Sequence, residues 1–171
     1  MSDKPSDKML RVDQAGEYGA TRIYAGQLAV MGIRAPHSAE IAAMTAQEAA
    51  HREKFDALMV RRGVRPTALQ PLWSAAGYAL GAATALIGPK AAMACTAAIE
   101  TEIDRHYSRQ LYDLGDADPE LSGMIREFRE DEREHRRQAL AAGAERAPAF
   151  PVLSGAIRLG CRLAIRLSER I

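Results

Sequence analysis

The sequence predicts an all-α protein: a bundle of four long helices with two additional short apolar or amphipathic helices. Three observations predict it. Only 5% of the 171 residues are aromatic, and alanine, leucine, arginine and glutamate stand where a sheet would need β-branched and aromatic residues. Apolar residues recur at helical spacing over long stretches. Glycine or proline breaks the pattern near Gly32, Gly63, Gly88, Gly115 and Gly143, where helices are expected to end. A hydrophobic content of 47% is enough for one core, so residues 1–171 are read as a single domain with a flexible tail at residues 1–8.

The elements follow in order. Leu10, Tyr24, Leu28 and Met31 mark the first long helix, which stops near Gly32 before Pro36. Ser38 is a candidate cap for the second, whose inward stripe reads Met44, Glu48, His51, Phe55 and Leu58 up to Gly63. Residues 72–87 carry no charge and form the first short helix; Gly88-Pro89 then opens the third long helix, which runs to about Gly115. Asp118-Pro119 caps the fourth, with the stripe Ile125, Phe128, Glu132, His135 and Ala139. Pro148 and Pro151 bracket a connection to the amphipathic residues 152–167, which carry Arg158, Arg162 and Arg166 at successive i+4 positions.

Charge and cysteine content narrow the function. With 23 basic against 22 acidic side chains the net charge is +1, so no overall field attracts nucleic acid. Cys95 and Cys161 lie in apolar stretches and are read as reduced, buried thiols. The first eight residues are polar where a signal peptide would need an apolar segment, so the chain is expected on the cytoplasmic side.

Residues three apart lie on one helix face, so Glu48 with His51 and Glu132 with His135 each point a carboxylate and an imidazole the same way. The chain also repeats itself. Glu17 precedes Glu48 by 31 positions, Glu100 precedes Glu132 by 32, and Tyr24 and Tyr107 each stand seven residues after the lone glutamate. One inward Glu on two helices and Glu-x-x-His on two others is the ligand set of ferritin-like di-iron carboxylate bundles. Four ionised carboxylates facing one another in a core would repel and lose their hydration, and two divalent ions would cancel their charge. Six ligands over two irons leave coordination positions open to dioxygen. The candidate metal ligands are therefore Glu17, Glu48, His51, Glu100, Glu132 and His135.

Each assignment has a plainer alternative. Glu102 competes with Glu100, but Glu102 shares its face with Arg105 and Arg109, whereas Glu100 lines up with Met93, Ile103 and Tyr107. The six ligand-type residues would otherwise belong to solvated charged faces. Tyr24 and Tyr107 are either core tyrosines with backbone partners or groups beside the metals. Asp131 either orients a histidine ligand of another helix or is a surface aspartate.

The segments LRVDQAGEYGATRIYAGQ, EAAHREKF, RPTALQPLW, ALGAATALIGPKAAMACTAAIE, DEREHRRQAL and GCRLAIRLSERI resemble the demethoxyubiquinone hydroxylase family of ubiquinone biosynthesis over nearly the whole chain. The resemblance implies the same six iron ligands and adds a catalytic pair, His106 and Tyr107, near the irons. Two departures are visible: Gln14 stands where many members have histidine, and Thr101-Glu102 replaces the usual arrangement after the ligand glutamate. The implied reaction is oxygen-dependent hydroxylation of a benzoquinol ring that bears a polyprenyl tail.

Such a substrate is met at a bilayer. Residues 72–87 are too short to span one, and residues 152–167 have the arginine edge of a helix lying in an anionic interface; bundle packing with surface ion pairs is the alternative. The expected location is peripheral, on the cytoplasmic face of the cell membrane. Expected partners are the quinol, other ubiquinone-biosynthesis proteins or a lipid-binding accessory protein, and a second copy of the chain. No Gly-rich dinucleotide fingerprint follows a strand, which leaves the quinol, a reductase or reduced nicotinamide nucleotide, NAD(P)H, as electron donor. Two rival functions share the bundle: a ferritin-like iron-oxidising protein and a non-catalytic quinone- or lipid-binding bundle.

Overall fold

A computed structural model describes residues 5–171, and among these there is no strand. Six α-helices follow one another: α1 Pro5–Met31, α2 Ser38–Arg62, α3 Gln70–Ile87, α4 Pro89–Leu114, α5 Pro119–Ala141 and α6 Phe150–Ser168, with a 3-10 turn at Ala144–Arg146. The pairs α1 with α2 and α4 with α5 form the four-helix core, while α3 packs along α1 and α6 along α4. The repeat legible in the sequence thus extends from a helical pair to a unit of three helices.

Several local expectations change. Residues 5–8 belong to α1, so the expected flexible tail is helical there; residues 1–4 lie outside the described residues. Ser38 is the first residue of α2 rather than its cap: His37 occupies the cap in left-handed geometry without a side-chain bond. The Ser38 hydroxyl donates instead to the Gly32 carbonyl at 2.6 Å and closes the turn between α1 and α2. Asp118 does cap α5, accepting from the Leu121 amide at 3.1 Å. Its carboxylate also takes two bonds from the Arg62 guanidinium, 2.5 and 2.9 Å, tying the end of α2 to the start of α5.

The two segments expected as short helices are nearly as long as the others, 18 residues in α3 and 19 in α6. Helix α3 has no charge with which to face water, and glycine lets it sit against α1 backbone to backbone. A Cβ on Gly81 would lie 1.9 Å from the Ile23 carbonyl oxygen, and one on Gly26 would lie 2.2 Å from that of Tyr78, so no side chain fits at either contact. The opposite faces are uncovered. Leu72, Leu86 and Ile87 of α3 and Val152, Leu159 and Leu163 of α6 are each more than half exposed. Trp73 Nε1 donates to Ser168 Oγ at 3.0 Å, joining α3 to α6. Among the described residues no helix is long and apolar enough to cross a membrane.

Three apolar clusters fill the bundle; one, with Ile23, Cys95 and Ile157, joins α1, α4 and α6, and the other two flank the polar residues. One gathers Tyr24, Ile41, Met44, Met93 and Ala139; the other gathers Leu10, Phe55, Leu58, Ile125 and Phe128. Along α2 the order Met44, Glu48, His51, Phe55 passes from one cluster to the other, and along α5 Phe128, Glu132, His135, Ala139 passes back. The polar residues are therefore flanked by two apolar plugs along the bundle.

Candidate metal centre

The six predicted ligands converge, and none is more than 3% exposed. They fall into two groups, Glu17, Glu48, His51 and Glu132, and Glu48, Glu100, Glu132 and His135; within each, one ligand atom per residue lies within 4.8 Å of the others. Glu48 and Glu132 belong to both groups, as bridging carboxylates would. Both imidazoles present Nδ1 inward. His51 Nδ1 is 3.3 Å from Glu132 Oε1 and 3.6 Å from Glu17 Oε2, while His135 Nδ1 is 3.1 Å from Glu48 Oε1 and 3.2 Å from Glu132 Oε2.

The electrostatics are those of a site built for cations. Burial, with the neighbouring Glu132 charge, pushes the carboxyls of Glu48 and Glu100 well above the ordinary range. Burial also acts to raise Glu132, but the imidazoles of His135 and His51 outweigh it and hold this group down to about 2. For His51, burial alone would favour the neutral ring; the Glu132 and Glu17 carboxylates prevail and push it up to about 10. Glu17 Oε2, Glu48 Oε1, Glu132 Oε1 and His51 Nδ1 are buried without a hydrogen-bond partner. Buried acceptors are rarely left so, and here they point at one another across the two groups. Two divalent cations fit this donor set in number, charge and ligand type.

The surrounding partners are polar and specific. Tyr24 donates to Glu100 at 2.7 Å and Tyr107 to Glu17 at 2.5 Å, so both tyrosines stand beside the centre and neither turns to the backbone. Burial pushes both phenols well above their usual range, which keeps them as donors. Asp131 accepts from His51 Nε2 at 3.0 Å, which fits the first of the two readings open for it. His135 Nε2 donates to Gln47 Oε1 at 3.0 Å; the sequence reading missed Gln47, although it precedes Glu48 as Asp131 precedes Glu132. Phe128 stacks on the His51 ring with centroids 4.0 Å apart and holds its plane.

His106 lies outside the ligand groups. Its Nε2 donates to the buried Asp13 at 3.1 Å, a partner missed because the two residues are 93 positions apart. Burial raises the Asp13 carboxyl, opposed by the bond from His106. A cavity of about 30 Å³ lies between α1 and α4 beside the carboxylates, walled by Gly16, Glu17, Ile99 and Ile103 with His106, Tyr107 and Ile165 of α6.

Helix α6 changes three readings. Glu102 shares its face of α4 with Arg105 and Arg109 but is buried there: α6 covers it, and its carboxylate pairs with Arg158 at 2.7 Å and Arg162 at 3.6 Å. Two of the three arginines of α6 are therefore engaged inside the chain, and of the three only Arg166 is exposed. Cys95 is buried but Cys161 is only partly so, because α6 covers the bundle from outside.

Comparison with known proteins supplies the context. The family described as ubiquinone biosynthesis protein COQ7 matches residues 4–168. The 3-demethoxyubiquinol 3-hydroxylase of Rhodospirillum rubrum is 57% identical, covering 96% of this chain and 78% of the relative. The NADPH-dependent 3-demethoxyubiquinone 3-hydroxylase of Homo sapiens, mitochondrial, is 52% identical over 96% of this chain and 77% of its own. The 5-demethoxyubiquinone hydroxylase of Saccharomyces cerevisiae, mitochondrial, is 42% identical over 96% and 78%. With the ligand set, its tyrosine partners and a match that runs nearly from end to end, the chain belongs to the COQ7 family of ubiquinone biosynthesis proteins.

Proposed function

We propose that the chain is a di-iron monooxygenase that hydroxylates the ring of a polyprenylated demethoxybenzoquinol, with NADPH, the donor carried in the name of the Homo sapiens relative, as the source of electrons. The observation that carries this reading is the pair of overlapping carboxylate and imidazole groups buried at the centre of the bundle. Irons held by Glu17, Glu48, His51, Glu100, Glu132 and His135 supply the reduction of dioxygen when bound.

The chain's own residues do the rest. Tyr24 and Tyr107 fix the terminal carboxylates Glu100 and Glu17 by donating to one oxygen of each, leaving the second oxygen to turn inward. The apolar clusters at both ends keep water from the centre. The cavity beside Glu17 holds a molecule of the size of water or dioxygen. A benzoquinol ring is larger, so it enters there only as wall side chains give way, Ile165 of α6 among them. His106 and Tyr107 are the polar groups that it then meets.

The test uses the iron-loaded protein, a short-tailed demethoxyquinol, NADPH and 18O-labelled dioxygen. The expected product is the ring hydroxylated with one labelled oxygen. Iron oxidation with no label in organic product would replace this reading with a ferritin-like one, and full activity in Glu132→Ala would replace it with a metal-free one.

The tail of such a substrate calls for a bilayer, and the uncovered leucines and valine of α3 and α6 give the chain a surface to rest on one without crossing it. Vesicles of anionic phospholipid are expected to carry the protein in co-sedimentation, and Leu159→Glu with Leu163→Glu to release it. Equal binding by the double variant would sink this part of the reading.

A further inference from the structure

The centre has an internal two-fold pattern, and two differences in charge break it beside the ligand groups. Glu17 and Tyr24 of α1 correspond to Glu100 and Tyr107 of α4, each 83 positions on, and Glu48 and His51 of α2 correspond to Glu132 and His135 of α5, each 84 positions on. The hydrogen bonds follow the same exchange. Tyr24 donates across to Glu100 and Tyr107 across to Glu17. Each histidine donates its Nε2 hydrogen to the residue that precedes the shared glutamate of the other half: His51 to Asp131 and His135 to Gln47, both at 3.0 Å.

Asp131 and Gln47 are thus equivalent positions, 84 apart, that make the same bond with different chemistry. A carboxylate accepting the Nε2 hydrogen draws it toward oxygen and makes Nδ1 a stronger electron donor, and its negative charge adds to the attraction for a cation beyond the ring. The amide oxygen of Gln47 fixes the ring to the same geometry with a dipole alone. The halves differ in a second place. Asp13 and His106, paired at 3.1 Å, correspond to Thr96 and Ile23 in the other half, and the Asp13 carboxylate is near enough to Glu17 for the two charges to interact. Both extra carboxylates therefore fall on the side of Glu17 and His51.

We infer that the two metal positions are unequal, and that the one formed by Glu17, His51 and the shared Glu48 and Glu132 binds its divalent cation more tightly because Asp131, and not an amide, holds His51. Asp131 and Gln47 are positioning residues: neither belongs to a ligand group, and each acts through a histidine. The inference rests on the di-iron reading of the site, and its test separates the two.

The experiment is an anaerobic titration of the full chain with cobalt(II), followed by calorimetry and by the visible bands of the bound ion. The parent protein is expected to bind in two steps at least about tenfold apart. Exchange of Asp131 for Asn keeps the shape and removes the charge, and is expected to weaken the tight step about 10- to 100-fold while leaving the other within about threefold. The reverse exchange, Gln47→Glu, gives His135 a carboxylate and is expected to tighten the weak step. Both side chains are partly exposed, and far-ultraviolet circular dichroism confirms that the variants fold. Two equal steps in the parent would overturn the inference, as would an Asp131→Asn variant that shifts both steps together or neither. No cobalt bound at all would overturn the metal centre itself.

Discussion

The Glu48→Ala, Glu132→Ala double variant, reconstituted anaerobically with ferrous iron, is expected to hold almost none of the roughly two irons per chain expected of the parent protein. These two carboxylates belong to both ligand groups, so removing them damages both metal positions at once, whereas Glu17→Ala or Glu100→Ala strips a terminal ligand from one. Hydroxylation is expected to fall to background with the iron. Metal content per chain decides the matter, and a double variant that retains iron near the parent level would show that the iron lies elsewhere.

A companion variant separates loss of metal from loss of fold. Glu48→Gln keeps the side-chain volume but replaces a carboxyl whose ionised form burial and Glu132 both disfavour. The metal-free variant is therefore expected to melt higher than the metal-free parent while binding less iron. A gain of about 1 kcal/mol would raise the midpoint by roughly 2–4 °C in a chain of this size. A site whose ligands destabilise the fold until cations join them trades stability for function.

The buried cluster of carboxylates and imidazoles was legible in the sequence because ligand-type residues on helices leave two periodic marks. The i+3 spacing of Glu48 with His51 and of Glu132 with His135 is local, and the 31- and 32-residue intervals repeat it. The partners of those ligands leave weaker marks. Gln47 accepts from His135 across 88 positions and Asp13 from His106 across 93, and no local pattern records which helix face meets which. Glu102 shows the same limit. Its face on α4 is polar, and only α6, arriving from more than fifty residues later to supply Arg158 and Arg162, turns that face into an interior. Ser38 shows the limit at short range: a cap residue type one position inside the helix bonds back to Gly32. The uncharged run of α3 announced a helix, but its length and its close seating on α1 depend on Gly26, Gly77 and Gly81 meeting across the interface.

Binding of iron is expected to strengthen steeply with pH, and the stabilisation that it brings to strengthen with it. Burial raises the carboxyls of Glu48 and Glu100; a raised acid contributes stability below its ordinary range and loses it as pH rises. His51, for which the Glu132 and Glu17 carboxylates outweigh burial and push the ring up to about 10, acts in the same sense: its contribution is full below the ordinary histidine range near 6.5 and is lost as pH climbs through about 10. All three groups favour the protonated, metal-free fold, yet each must be deprotonated to hold a cation. Every proton displaced changes the apparent affinity about tenfold per pH unit, so His51 alone implies about 100-fold between pH 6 and pH 8, roughly 2.7 kcal/mol of added metal-induced stability. Thermal midpoints with and without ferrous iron, measured anaerobically at both pH values, read this directly. An iron-induced shift that is the same at pH 6 and pH 8 would mean that His51 gives up no proton to the metal, and that its ring stands beside the centre without joining it.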